Sequence, residues 1–171
     1  MRQRSKNSFT RTQPAFCASP DLRGITMKLQ ASYTLPVPRQ RLWDLFWSPE
    51  DLKACLPGCE RLTQVAPDTY EATLTIGVAA VKGTYTGRLR IADPEPPARC
   101  RLLFEGTGKP GFIRGEAVVL LSEDPAGTVL AINADAQVGG IIASVGQRML
   151  TGVGRMLLAD FIKRVEAHLA Q

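Results

Sequence analysis

From Met27 onward the chain alternates, with Leu29, Ala31, Tyr33 and Leu35 on one side and Lys28, Gln30, Ser32 and Thr34 on the other. That period of two predicts a half-buried strand. Pro36 and Pro38 close it, and Pro38 suits the first turn of a helix. In RQRLWDLFWS, Leu42, Leu45 and Phe46 recur at helical spacing beside Trp43 and Trp47. A second short helix, PEDLKACL, stops at Pro57-Gly58, and the chain enters a sheet at Glu60.

Strands separated by turn signals fill the middle of the chain. Tyr70, Ala72, Leu74, Ile76 and Val78 form one apolar face; Val81, Gly83, Tyr85, Gly87, Leu89 and Ile91 form the next. After DPEPPA come Cys100, Leu102, Phe104 and Gly106, and after GTGKPG come Ile113, Gly115, Ala117, Val119 and Leu121. Beyond DPAG, Leu130, Ile132, Ala134, Ala136 and Val138 end the series. Connections this short suit antiparallel pairing, because parallel strands need long crossovers.

Gly139-Gly140 is expected to open one long helix reaching the C-terminus. Ile141, Ile142, Val145, Gly146, Met149, Leu150, Val153, Met156 and Leu157 fall within about half a turn of arc at 100° per residue. Later the stripe moves to Leu158, Phe161, Ile162, Val165 and Leu169. Either a bend near Gly152–Gly154 or packing on different elements along its length would accommodate the shift. The order is strand, two short helices, about six strands, long helix. It predicts an α+β fold in which a curved antiparallel sheet of six or seven strands wraps the helix, each burying its apolar face on the other.

Volume complicates that core. Gly83, Gly87, Gly106, Gly115, Ala117, Ala134 and Ala136 stand at expected inward positions where larger residues normally fill space. They leave room for a concave apolar pocket, or they permit strong curvature and bulges.

The formal charge of +5 and pI near 9.3 suggest an anionic partner until the charges are placed. Residues 1–26 hold five basic groups against Asp21 alone, leaving 27–171 nearly neutral, so nucleic-acid binding is not expected. That segment lacks an apolar core for secretion and has the composition of a disordered extension. The domain is therefore expected to span 27–171. No run of about 18 apolar residues offers a membrane span.

Candidate chemistry is sparse. Cys55 and Cys59 flank Leu-Pro-Gly, but a zinc site needs four ligands; Cys17 lies in the extension, Cys100 on a strand, and His168 is the only histidine. No metal or cofactor is expected. GTGKPG matches the dinucleotide-binding spacing, yet a strand follows where a phosphate-binding helix is required, so it reads as a hairpin turn. Glu71, Glu105 and Glu116 share strand faces with Lys82, Arg88, Arg90, Arg101 and Arg114, as cross-strand ion pairs do. Asp135 would be the best catalytic candidate if its face were buried.

VPRQRLWDLFWSPEDLKACLPGCERL, GVAAVKGTYTGRLRI, PPARCRLLFEGTGKPGFIRGEA and NADAQVGGIIASVGQRML resemble the CoxG family of carbon monoxide dehydrogenase proteins, within the START/Bet v 1-like (SRPBCC) helix-grip superfamily. The likeness covers about residues 27–168, and the LPGCE turn and the AQVGG…GQR run are its most specific parts. It implies a helix-grip fold and an accessory role beside CO dehydrogenase-type molybdenum hydroxylases, in membrane recruitment or carriage of a hydrophobic ligand such as a quinone. It supplies no catalytic residues. Some members carry a membrane-binding tail past the long helix. This chain ends at Gln171, so recruitment through such a tail is not carried over, whereas ligand carriage needs only the cavity.

The expectation is a non-enzymatic, cytoplasmic protein, or one peripheral to the membrane, that binds a quinone or lipid-like molecule. Tyr85, Leu89, Phe104, Phe112, Ile142, Val145, Met149, Val153 and Met156 are the expected lining; Leu56, Pro57, Gly58 and Cys59 are expected to rim the mouth. A START-like cyclase or hydrolase is the enzymatic alternative and requires Asp135, Glu105 or Glu116 to face the pocket. An adaptor that binds the dehydrogenase through its wet sheet face is the third reading.

Overall fold

The alternating segments become seven strands in the computed structural model, which describes residues 24–78 and 81–170. They are β1 (Ile25–Leu35), β2 (Cys59–Ala66), β3 (Thr69–Ile76), β4 (Gly83–Glu95), β5 (Arg99–Gly108), β6 (Gly111–Asp124) and β7 (Gly127–Gly139). Helices α1 (Arg39–Trp47) and α2 (Pro49–Cys55) follow β1, and α3 (Gln147–Leu169) closes the chain. The strands form one antiparallel sheet in the order β1-β7-β6-β5-β4-β3-β2, with α3 against its inner face. β1 begins at Ile25, two residues before the alternation from Met27 suggests. The expected extension lies almost wholly outside the described residues.

Registers place inward residues in rows across the sheet. One runs Leu62, Ala72, Gly87, Gly106, Ile113, Val138, Ile25. The next runs Tyr70, Leu89, Phe104, Gly115, Ala136, Met27. Outward positions carry charge: Arg88 engages Glu71 at 2.7 Å, Arg90 engages Asp68 at 3.2 Å, and Arg101 bridges Asp93 and Glu116. These are the cross-strand pairs expected of a wet face. Lys109-Pro110 makes the tight β5–β6 turn.

The passage from β7 into α3 departs from expectation. A 3-10 turn covers Ile141–Val145, bracketed by Gly140 at φ 85° and Gly146 at φ 91°, and the α-helix begins only at Gln147. Gly146 breaks the helical phase, so 141–145 cannot share one arc with 149–157. Past that break α3 is continuous and packs on different elements along its length. Gly154 lies beside Met27 and Leu29 of β1, whereas the last turns meet α2.

Polar bonds fix the packed end. The buried Tyr70 hydroxyl donates to the Phe46 carbonyl at 3.2 Å, and Thr128 donates to the Val37 carbonyl at 2.7 Å. Ser48 caps α2, accepting from the Asp51 amide. His168 Nε2 lies 2.7 Å from Asp51 Oδ1 and joins α3 to α2. The hydrogen bond from His168, then that from Ser48, holds the Asp51 carboxyl below its ordinary value. A lowered carboxyl stabilises the fold above its unfolded pKa, and that contribution disappears as pH falls through the folded value. Asp51→Asn is therefore expected to lower Tm by about 1–3 °C at neutral pH, the scale of an exposed pair. The gap should narrow as pH falls below the ordinary carboxyl value of 3.8 and close beneath the lowered folded value, which thermal unfolding between pH 2 and 7 would check.

Candidate functional site: an apolar two-chamber cavity

Between sheet and α3 lie two adjoining cavities of about 340 and 330 Å³. The first lies under the row of Leu62, Ala72, Gly87, Gly106, Ile113 and Val138, against Leu150, Val153, Gly154 and Leu157 of α3. Ile142 of the 3-10 turn and Val81 complete that end. The second lies between Phe46, Leu52, Leu102, Val119, Ile132, Leu158 and Phe161. Leu56, Leu74, Ile76, Leu89, Phe104 and Leu157 belong to both walls, which makes the chambers neighbours.

Local sequence explains why the space exists. Ala72, Gly87 and Gly106 are consecutive in the register and put little or no side-chain volume above the sheet. A Cβ on Gly106 would meet only Ile113 at 3.7 Å and a carbonyl at 3.8 Å, so its missing side chain leaves open volume. Gly87 does something different: a Cβ there would lie 2.1 Å from the Glu105 carbonyl oxygen. Cavity and curvature are both present, at neighbouring residues. Of the other small residues, Gly83, Gly115, Ala117, Ala134 and Ala136 border neither chamber. At Gly115 a Cβ would strike the Asp135 carbonyl at 2.1 Å, again a close strand approach.

The lining is almost wholly carbon. The Tyr85 hydroxyl donates to the Val81 carbonyl at 2.6 Å, and burial pushes its pKa up. Arg88 and Glu105 border the first chamber but are exposed, Arg88 holding Glu71 on the outer face. Glu116 is held by Arg101, and Asp135 lies 3.9 Å from Lys28; both are exposed. None of the carboxylates weighed as catalysts faces the cavity.

The expected lining separates into two groups. Tyr85, Leu89, Phe104, Ile142 and Val153 line the first chamber. Phe112 does not: it shares strand parity with Arg114, whose guanidinium lies 5.8 Å from its ring, and it packs beside Gly139. Met149 and Met156 are 53% and 49% exposed because the α3 face toward the sheet runs through Leu150, Val153 and Leu157. Val145 is half-buried in the 3-10 turn and borders neither chamber.

At the expected mouth, Leu56 and Pro57 reach the chambers, whereas Gly58 and Cys59 do not. Gly58, at φ 70°, accepts the Thr75 amide at 2.8 Å and aligns β2 with β3. Cys55 is buried, and Cys59 donates weakly to the Arg61 carbonyl at 3.4 Å. Burial pushes both thiols above their ordinary value. Ala72, Leu74, Ile76 and Ile113 were missing from the expected lining although strand alternation already turns them inward. The second chamber required knowing where α1 and α2 fold back.

A seven-stranded antiparallel sheet gripping a C-terminal helix over an apolar hollow defines a START/Bet v 1-like helix-grip protein. The family model for CoxG, the G component of carbon monoxide dehydrogenase, matches residues 32–170, and the chain belongs to that family. A conserved protein from Geobacillus kaustophilus is 36% identical, with a TM-score of 0.80 over 85% of this chain and 95% of that one. An uncharacterized protein from Rhizobium leguminosarum is similar in fold at 15% identity, TM-score 0.67, over 86% and 96% of the two chains. A protein from Mycobacterium smegmatis is 17% identical, TM-score 0.62, over 88% and 94%. Comparison with curated proteins gave no match.

The two glycines of the hollow should respond oppositely to alanine. Gly87→Ala, which must push the Glu105 carbonyl aside, is expected to cost about 2–3 kcal/mol. Gly106→Ala should be neutral or stabilising by up to about 1 kcal/mol, since it fills space without a clash. Urea unfolding of both variants gives the comparison.

Proposed function

We propose that the protein holds a flat or elongated apolar molecule, of the quinone or isoprenoid lipid class, across the two chambers. In this role it is an accessory protein that carries the molecule for a carbon monoxide dehydrogenase-type enzyme. CoxG membership supports the accessory role. The observation that carries the ligand reading is the pair of adjoining chambers walled almost entirely by carbon. Binding would draw on the removal of apolar surface from water, about 25 cal/mol per Å². It would need few polar contacts, and the polar group supplied by Tyr85 is already satisfied. An enzymatic reading lacks an acid or base, because Glu105, Glu116 and Asp135 stand on the other face.

Native mass spectrometry of protein purified from its host is expected to show an adduct of quinone or lipid mass. Decyl-ubiquinone should quench Trp43 and Trp47, which flank Phe46 of the second chamber. Ala72→Phe and Gly106→Leu, which fill the first chamber, should weaken that binding at least about tenfold, the scale of one misplaced side chain in an apolar pocket. Met149→Ala should leave it unchanged. Absence of both an adduct and saturable quenching would remove the ligand reading. Co-purification with the dehydrogenase unaffected by the filled cavity would instead favour a pure adaptor.

A further inference from the structure

The two edges of the sheet are built differently. β2 is 8 residues long, its pairing with β3 slips at Cys59–Arg61 and again at Gln64–Ala66, it carries exposed Glu60 and Arg61, and Pro67 follows it. Shortness, bulges, charge and proline are the devices by which an edge strand avoids taking on a further strand. β1 has almost none of them. Its 11 residues pair with β7 from Ile25 to Leu35 without a slip, and with β7 alone among the described residues. Its one charged residue, Lys28, lies 3.9 Å from Asp135 of β7. An unbroken edge of that length presents backbone donors and acceptors in a regular row, which is a template for another strand.

We propose that the outer edge of β1 pairs with β1 of a second copy of this chain, antiparallel about a two-fold at Gln30. The strand's own sequence selects this occupant. Gln30 is the midpoint of Ile25–Leu35, so pairing about it uses the whole strand. On the hydrated face Thr26 then meets Thr34 of the second copy and Lys28 meets Ser32, so no two like charges are opposed. Gln30 meets its own equivalent, and a carboxamide both donates and accepts. On the inner face apolar or aromatic residues meet each other, Met27 opposite Tyr33. A centre at Lys28 would instead set two ammonium groups against each other. Pairing of this kind keeps both inner faces on one side, and the two sheets continue as one. Met27 also borders the first chamber, which places the seam beside the hollow. This inference goes beyond the ligand reading, since the edge pairs whatever the chambers hold.

The test is sedimentation equilibrium of the full chain. Twice the chain mass of 18.6 kDa is expected at about 50 µM, with dissociation on dilution. Ser32→Lys faces Lys28 of the second copy twice in each dimer and should raise the dimer Kd at least about fivefold. Ser32→Glu faces the same lysine and should lower the Kd about threefold, a gain that fades as salt rises to about 0.5 M. Thr63→Lys, on the other edge strand, should leave it unchanged. Both positions are exposed, and circular dichroism confirms that each variant folds. A single-chain mass at that concentration overturns the proposal. So does a dimer that the two Ser32 variants shift in the same direction, or that neither shifts. Hydrogen exchange covers the remaining case: a monomer whose edge-facing β1 amides resist exchange assigns the edge to residues 1–23 and likewise overturns it.

Discussion

The hollow depends on one close approach, the Gly87 backbone against the Glu105 carbonyl of β5. A Cβ at position 87 would sit 2.1 Å from that oxygen, so only glycine lets β4 and β5 meet there. Across β5 the same row continues through Gly106, where the constraint is volume and not contact. With Ala72 on the other side, three adjacent strands contribute almost no side chain beneath α3. The sheet thereby bends where it is also empty, and the helix spans the gap on Leu150, Val153 and Leu157.

Charge and carbon are separated by the alternation of the strands themselves. Outward Arg88, Arg90 and Arg101 of β4 and β5 each hold a carboxylate, and their inward neighbours are apolar or small. One sheet therefore presents a hydrated, internally neutralised face and a face that offers an occupant little hydrogen bonding. Among the described residues, the carboxylates weighed as catalysts, Glu105, Glu116 and Asp135, stand on the hydrated face.

Strand faces, both short helices and the element order were legible in the sequence, because period-two and period-3.6 patterns report burial directly. Five of the nine expected lining residues border the first chamber for that reason. The other four lie outside both chambers for physical reasons. Phe112 followed aromatic character against its own parity with Arg114. Val145 was assigned to a helical arc that Gly146 at φ 91° interrupts, and Met149 and Met156 lie at the margin of an α3 face centred on Leu150, Val153 and Leu157. Glycine pairs near a helix start read equally well as a cap, a flexible start or a break, and the dihedral angle is absent from the sequence. The edge strand β2 was least distinct, since Leu62 is its main inward apolar side chain and Val65 is half exposed.

The chamber walls offer water little, because a buried water needs two to four polar partners and these walls are almost wholly carbon. The other end of the interior is packed, with Leu42, Leu45, Leu52 and Val165 almost wholly buried around α1, α2 and the last turns of α3. The fold thus sets a close-packed end beside an open apolar one. The 3-10 turn stands at the border of the first chamber, with Ile142 in the wall and Ile141 in solvent. It is hinged on two positive-φ glycines, and its inter-element backbone bond is the one from Ile142 to Pro110. One residue of the turn thus sits in the chamber wall and its neighbour in solvent, because the two glycines let the chain reverse between β7 and α3.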